Sequence, residues 1–141
     1  MSRAKRSQRW ITLALLLFAI SAVAAACDDA SSGTVNTVII RSEKRTDVAL
    51  KTGDTLIISL PSNPTTGYSW QATTSDPNIV DPKGSTNVRP KNAPPGAGGV
   101  QNLTFLALKP GAARLTLVYD RPFDKGSPGN KTVVYNVTVS S

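Results

Sequence analysis

Apolar and polar residues alternate along much of this chain with a period near two, the spacing of a strand that buries one face. The pattern starts at Val35-Asn36-Thr37-Val38-Ile39-Ile40 and returns at Asp47-Val48-Ala49-Leu50 and at Leu56-Ile57-Ile58-Ser59-Leu60, which stops at Pro61. Gly67 to Thr74 sets Tyr68 and Trp70 on either side of Ser69, so both rings fall on one strand face and read first as core. Val100–Leu108, Ala113–Tyr119 and Thr132–Val139 are three further strands. Turn chemistry separates them at Lys51-Thr52-Gly53-Asp54, at Lys109-Pro110-Gly111 and between Asp124 and Asn130. Ile79-Val80 is a short piece between Pro77 and Pro82. Residues 83–99 hold Gly, Pro, Asn and Lys with little apolar content, so a long loop is expected there. Nothing after the N-terminal region has helical periodicity. About seven short strands with Gly/Pro turns predict an all-β, antiparallel β-sandwich.

The N-terminal region follows different rules. Arg3, Lys5, Arg6 and Arg9 precede an apolar run from Trp10 to Ile20, and small residues then lead to Cys27. A positive segment, an apolar segment and small residues before a cleavage point make an export signal. Cys27 directly follows Ala24-Ala25-Ala26, which is similar to a bacterial lipoprotein signal, although Ala24 stands where that pattern favours Leu. The expected organisation is a signal peptide over 1–26, a lipid-anchored tether over 27–33 and one sandwich domain over 34–141. The apolar run extended to Ala26 nears membrane-spanning length, so an uncleaved anchor is one alternative and ordinary secretion the other. Cys27 is the only cysteine, which excludes an intrachain disulfide.

Charge and composition then narrow the function. Cleavage after Ala26 removes four of the sixteen Lys and Arg and none of the nine acids, so net charge falls from +7 to +3. No basic run interleaved with aromatics remains, which argues against nucleic acid as a partner. The chain has no histidine, and lipidation would consume its one thiol, so Ser-His-Asp and Cys-His nucleophiles are excluded. Metal sites built on imidazole and thiolate are excluded as well, and no cofactor is expected. Asp54, Asp76, Asp81, Asp120 and Asp124 all sit in turns or at strand ends, where turn formation explains them better than acid–base chemistry. The chain does not read as an enzyme.

A displayed loop does stand out. Asn63-Pro64-Thr65-Thr66-Gly67-Tyr68 joins a residue that fixes its own φ to one free to take positive φ, with two small hydroxyls between them. Pro95-Gly96-Ala97-Gly98-Gly99 opens a later strand, and Tyr119-Asp120-Arg121-Pro122-Phe123 closes another. Taken singly, these are an ordinary turn, a flexible linker and another turn. In this order, over roughly residues 35–140, they resemble the chagasin family, inhibitors of papain-like cysteine peptidases.

The resemblance implies an immunoglobulin-like sandwich whose loops form a wedge for the peptidase's active-site cleft. It assigns peptidase binding to Asn63, Pro64, Thr65, Thr66, Gly67 and Tyr68, flanked by Gly96, Gly98 and Gly99 and by Arg121, Pro122 and Phe123. Thr65 would bring its hydroxyl near the catalytic Cys-His pair. Gly98 and Gly99 would allow close backbone approach, and Phe123 stands where the family more often carries Trp. The expected partners are a papain-like cysteine peptidase and, through the lipid at Cys27, a membrane; the protein itself is expected to be a monomer. A cell-envelope adhesion or structural sandwich without inhibitory activity is the competing reading, since such folds host many functions.

Overall fold

A computed structural model describes residues 34–124 and 126–141; the signal segment, the tether and Cys27 lie outside the described residues. Eight strands form: β1 (Thr37–Ile40), β2 (Asp47–Lys51), β3 (Thr55–Ser62), β4 (Ser69–Thr74), β5 (Val80–Val88), β6 (Gly99–Ala107), β7 (Gly111–Asp120) and β8 (Lys131–Ser140). They make two four-stranded sheets, ordered β1-β3-β6-β5 and β2-β8-β7-β4. Leu56, Ile58 and Leu60 of β3 meet Leu103, Phe105 and Ala107 of β6 and Leu115, Leu117, Tyr135 and Val137 of the other sheet in one core. Every second residue of these strands is buried because each strand gives one face to the core and the other to solvent. Fully burying such side chains stabilises the fold by about 1.5–3 kcal/mol apiece.

The all-β, immunoglobulin-like sandwich forms as expected, with two differences in detail. The outer pairs β1–β3 and β2–β8 are parallel, while the four remaining pairings are antiparallel. The chain crosses between the sheets after Ile40, so β1 and β2 each add to an edge without a hairpin.

The second difference corrects the long loop expected at 83–99. Residues up to Val88 belong to β5, which pairs with β6 from Val80↔Ala107 to Val88↔Val100. A bulge between Pro82 and Gly84 leaves Lys83 out of the register, next to the proline that cannot donate to the ladder. β5 is an edge strand with almost every side chain exposed, and hydrogen bonding of its backbone requires no apolar alternation. The loop proper is confined to residues 89–98.

Register gives the sandwich two unlike poles. At the base, Thr37 lies level with Thr55, Gly111 with Val139, and Lys51 with Ser140. Both ends of the described chain are there. At the other pole Ser62 pairs with Gly99, Ser69 with Asp120, and Tyr119 with Lys131. The connections 63–68, 89–98 and 121–130 therefore emerge together. Strand β3 alone sets the two poles about 23 Å apart, at 3.3 Å of rise per residue.

Candidate binding pole

The 63–68 connection is a closed turn. Asn63 is extended (φ −128°, ψ 84°), as the residue before a proline must be, and Pro64–Thr66 form a 3-10 turn ended by left-handed Gly67 (φ 81°, ψ 0°). Thr66 N–H donates to Asn63 O at 3.1 Å and Gly67 N–H to Pro64 O at 3.0 Å. Thr66 Oγ1 also donates to Asn63 O at 2.7 Å, and Thr65 Oγ1 donates to Asn63 Oδ1. Pro64, Thr65, Thr66 and Gly67 are exposed. The Thr65 hydroxyl proton is thus already directed into the turn, which leaves its oxygen facing outward as an acceptor.

Asn63 is the hub joining this turn to its neighbours. Its backbone N–H donates to the Tyr119 hydroxyl at 3.0 Å, and its Nδ2 donates to Gly96 O of the second loop at 3.2 Å. That loop turns at Pro94–Ala97, with Ala97 N–H on Pro94 O at 3.0 Å and Gly96 at φ 83°. Gly96 and Gly98 are exposed. Gly99 has a reason internal to the fold: a Cβ there would overlap the Val88 carbonyl across the β5–β6 pair. Close approach of backbone is indeed what its missing side chain allows, but the backbone is the protein's own.

The third loop begins at Arg121, whose backbone bridges to Asp124 and whose guanidinium lies 4.0 Å from the Asp124 carboxylate. Between them Pro122 is exposed and Phe123 is 100% exposed. An aromatic side chain left wholly in water at the tip of a turn is a candidate contact for another molecule. The second half of the loop turns at Ser127–Asn130, closed by Asn130 N–H on Ser127 O at 3.1 Å.

Beneath the loops the aromatic residues stack. Trp70 is buried, and its ring lies 5.0 Å from that of Tyr119. Tyr119 in turn stacks on Tyr68 at 5.1 Å, and the Arg121 guanidinium carbon caps Tyr68 at 4.5 Å. Trp70 Nε1 donates across the sandwich to Pro61 O at 2.9 Å. Gln101, 3% exposed, clamps the same residue from the opposite sheet: its Oε1 accepts from Trp70 N–H at 2.8 Å, and its Nε2 donates to Trp70 O at 2.9 Å.

All twelve residues singled out from the sequence thus lie at or just beneath one pole. Tyr68 and Gly99 are half-buried beneath it, as are Asn63 and Arg121, while the others are exposed. Tyr119, Gln101, Ser127 and Gly129 complete the arrangement without having been singled out. Gln101 did leave a trace: it is a polar residue on the inward face of an otherwise apolar alternation, Gln101-Leu103-Phe105-Ala107. Ser127 and Gly129 read only as turn residues. Among the described residues, no three His, Cys, Asp or Glu side chains gather as a metal site.

A sandwich that holds three bonded loops at one pole, with an exposed aromatic on one of them, is built as a binding module. The chain belongs to the chagasin family of peptidase inhibitors, family I42, whose sequence model matches residues 49–139. It is thereby placed among inhibitors of peptidases and not among enzymes. It is 25% identical over 105 residues to Amoebiasin-2 of Entamoeba histolytica, spanning 72% of this chain and 84% of that protein. Its fold is similar to that of the cysteine protease inhibitor EhICP2 from E. histolytica, with a TM-score of 0.65 and 22% identity over 76% of this chain and 98% of that one. It is also similar to PbICP-C, solved in complex with falcipain-2, with a TM-score of 0.50 and 21% identity over 75% and 91% of the two chains.

Proposed function

We propose that this protein is a tight-binding, reversible inhibitor of papain-like cysteine peptidases, and that its loop pole enters the active-site cleft as a wedge. The observation that carries the reading is the bonding of the 63–67 turn to its neighbours, through Asn63 to Gly96 and through the Tyr119–Tyr68 stack to Arg121. Family membership and the likeness to the cysteine protease inhibitor EhICP2 support the target class.

In this reading the 63–67 turn faces the catalytic centre, while residues 96–99 and 121–123 grip the two rims. Peptide cleavage needs an extended backbone whose carbonyl meets the nucleophile in near-attack geometry. A 3-10 turn closed by a left-handed glycine does not present one, so it occupies the cleft without being cut. Its internal hydrogen bonds exist before docking, so little conformational entropy is lost on binding. Phe123, flanked by Pro122 and Arg121, supplies an apolar anchor at the rim. With no histidine and no thiol among the loop residues, binding is non-covalent from the inhibitor's side.

We further infer export and lipidation at Cys27, with the domain held on the outer side of the cytoplasmic membrane or in the cell envelope. The signal-like sequence supports this. Cys27→Ser should abolish detergent-phase partitioning; unchanged mass and partitioning would refute lipidation.

Titrating the purified protein against papain and a cathepsin, following residual activity, tests the main reading. Stoichiometric and reversible loss of activity is expected, and replacing residues 63–67 with a Gly-Ser linker should abolish it. Full peptidase activity at every ratio would instead leave an adhesive or structural module, which tolerates such a replacement.

A further inference from the structure

We propose that Tyr68 is a positioning residue and not a peptidase contact: together with Ser127 it latches the third loop to the base of the first. The proposal rests on the inhibitor reading above and departs from the direct role that the motif alone suggests for this tyrosine.

The ring and the tip of the Tyr68 side chain are already engaged. One ring face stacks on Tyr119 at 5.1 Å and 23°, and the Arg121 guanidinium covers the ring at 4.5 Å. The hydroxyl hydrogen-bonds to Ser127 Oγ. Residue 129 is a glycine where a Cβ would stand 2.7 Å from that hydroxyl, so the chain passes directly over it. Little of Tyr68 is left for another molecule.

What it holds matters more. The 121–130 connection is built from two small turns, Arg121–Asp124 and Ser127–Asn130. The ring of Tyr68 holds the first through Arg121, and its hydroxyl holds the second through Ser127. Phe123 is carried on the first turn. Tyr68 itself directly follows Gly67, so the same residue fixes where the 63–67 turn rises from β4. One side chain therefore sets the distance between the tip at Thr65 and the anchor at Phe123. When a latch of this kind is lost, the binding-competent arrangement becomes one of several, and apparent affinity falls by the fraction still competent.

The test uses the full-length protein in detergent, titrated against papain, with association and dissociation rates taken from progress curves. Tyr68→Phe keeps the stack and removes the hydroxyl; Ser127→Ala removes its partner. Each is expected to raise the inhibition constant about three- to tenfold, the scale of one net hydrogen bond, chiefly by slowing association. The double variant should be no worse than either single one, and Ser127→Thr, which keeps a hydroxyl, should inhibit like wild type. Amide hydrogen exchange within 121–130 should quicken equally in the two single variants. A direct contact predicts otherwise: Tyr68→Phe would speed dissociation, Ser127→Ala would do little, and their effects would multiply. Either that pattern or an unchanged inhibition constant in both variants overturns the latch while leaving the inhibitor reading intact. Failure of the wild type to inhibit papain overturns the inhibitor reading, and the latch's role with it.

Discussion

Gly67 offers a clean perturbation, because its backbone and its surroundings make separable demands. At φ 81° and ψ 0° it occupies the left-handed region, yet a Cβ would meet nothing closer than Arg121 Cγ at 4.0 Å, an ordinary contact. Substitution there is penalised by backbone strain alone. For Ala the left-handed conformation costs about 1–2 kcal/mol; Asn, which visits it more readily, costs less, and β-branched Val costs more. The strain has an easy outlet. The turn is exposed and lies outside the core, so residues 63–67 can rearrange by giving up the Gly67 N–H to Pro64 O bond, worth about 1 kcal/mol net. Global stability should therefore fall by no more than that bond. Docking, by contrast, requires the native turn and bears the strain that the relaxed turn escapes, which for Gly67→Ala is at most about 1 kcal/mol, up to roughly a fivefold rise in inhibition constant, and for Val is more. Titration against papain should rank the series Gly, Asn, Ala, Val from tightest to weakest, while urea unfolding midpoints shift little. If Gly67→Val stays within about twofold of wild type, or inhibits as well as Gly67→Asn, positive φ does not shape the turn that binds.

Three predictions concern what supports the pole and the base. Gln101→Leu leaves the Trp70 N–H and C=O without their partners inside the sandwich, at about 1–3 kcal/mol each; urea unfolding should show a loss of roughly 2–5 kcal/mol, and a loss below about 1 kcal/mol would mean the clamp is dispensable. Asp54 accepts backbone N–H groups of Lys51 and Asn36, and these bonds, Lys51's first, hold its carboxyl below the usual 3.8 against the opposing effect of desolvation. Its contribution is complete above that ordinary value and is lost as pH falls through the lowered one, so acid should destabilise wild type more steeply than Asp54→Asn; equal acid slopes would refute the linkage. Burial, reinforced by the charge of Glu43, pushes Tyr135 up to about 12, and its hydroxyl donates to Ser42 O at 3.1 Å. Here the sign reverses: stability is complete below the ordinary value of 10 and declines as pH rises toward 12, a decline that Tyr135→Phe should flatten in alkaline urea titrations.

How much of this was legible in the sequence depends on where each element sits. Strands β3, β6, β7 and β8 declare themselves because each has one face in the core, which forces alternation on its residues. β5 hides because an edge strand can be polar throughout: its only obligation is to pair its backbone, and Ser85, Thr86 and Asn87 do that as well as valines would. The parallel edge pairings of β1 and β2 were equally hidden, since alternation fixes a strand's faces and not its neighbours. The loops were legible through their backbone chemistry: Pro64 and Gly67 announce a turn before anything is known of its surroundings.

What the loops rest on was not legible, because it arises from register. Tyr119 matters because it falls opposite Trp70 in the β4–β7 pair, and Gln101 matters because the sheets stack so that it faces the Trp70 backbone. Neither relation is local in the chain. Together they explain why an exposed motif can be stiff. Trp70 is fixed in the core by Gln101 and by its bond to Pro61; Tyr119 packs on Trp70 and holds Asn63; Tyr68 packs on Tyr119, and Arg121 on Tyr68. The order of the core thus passes outward through four side chains to the residue two places before Phe123. A tip supported in this way keeps its shape without a disulfide, which a chain with one cysteine could not have formed within itself.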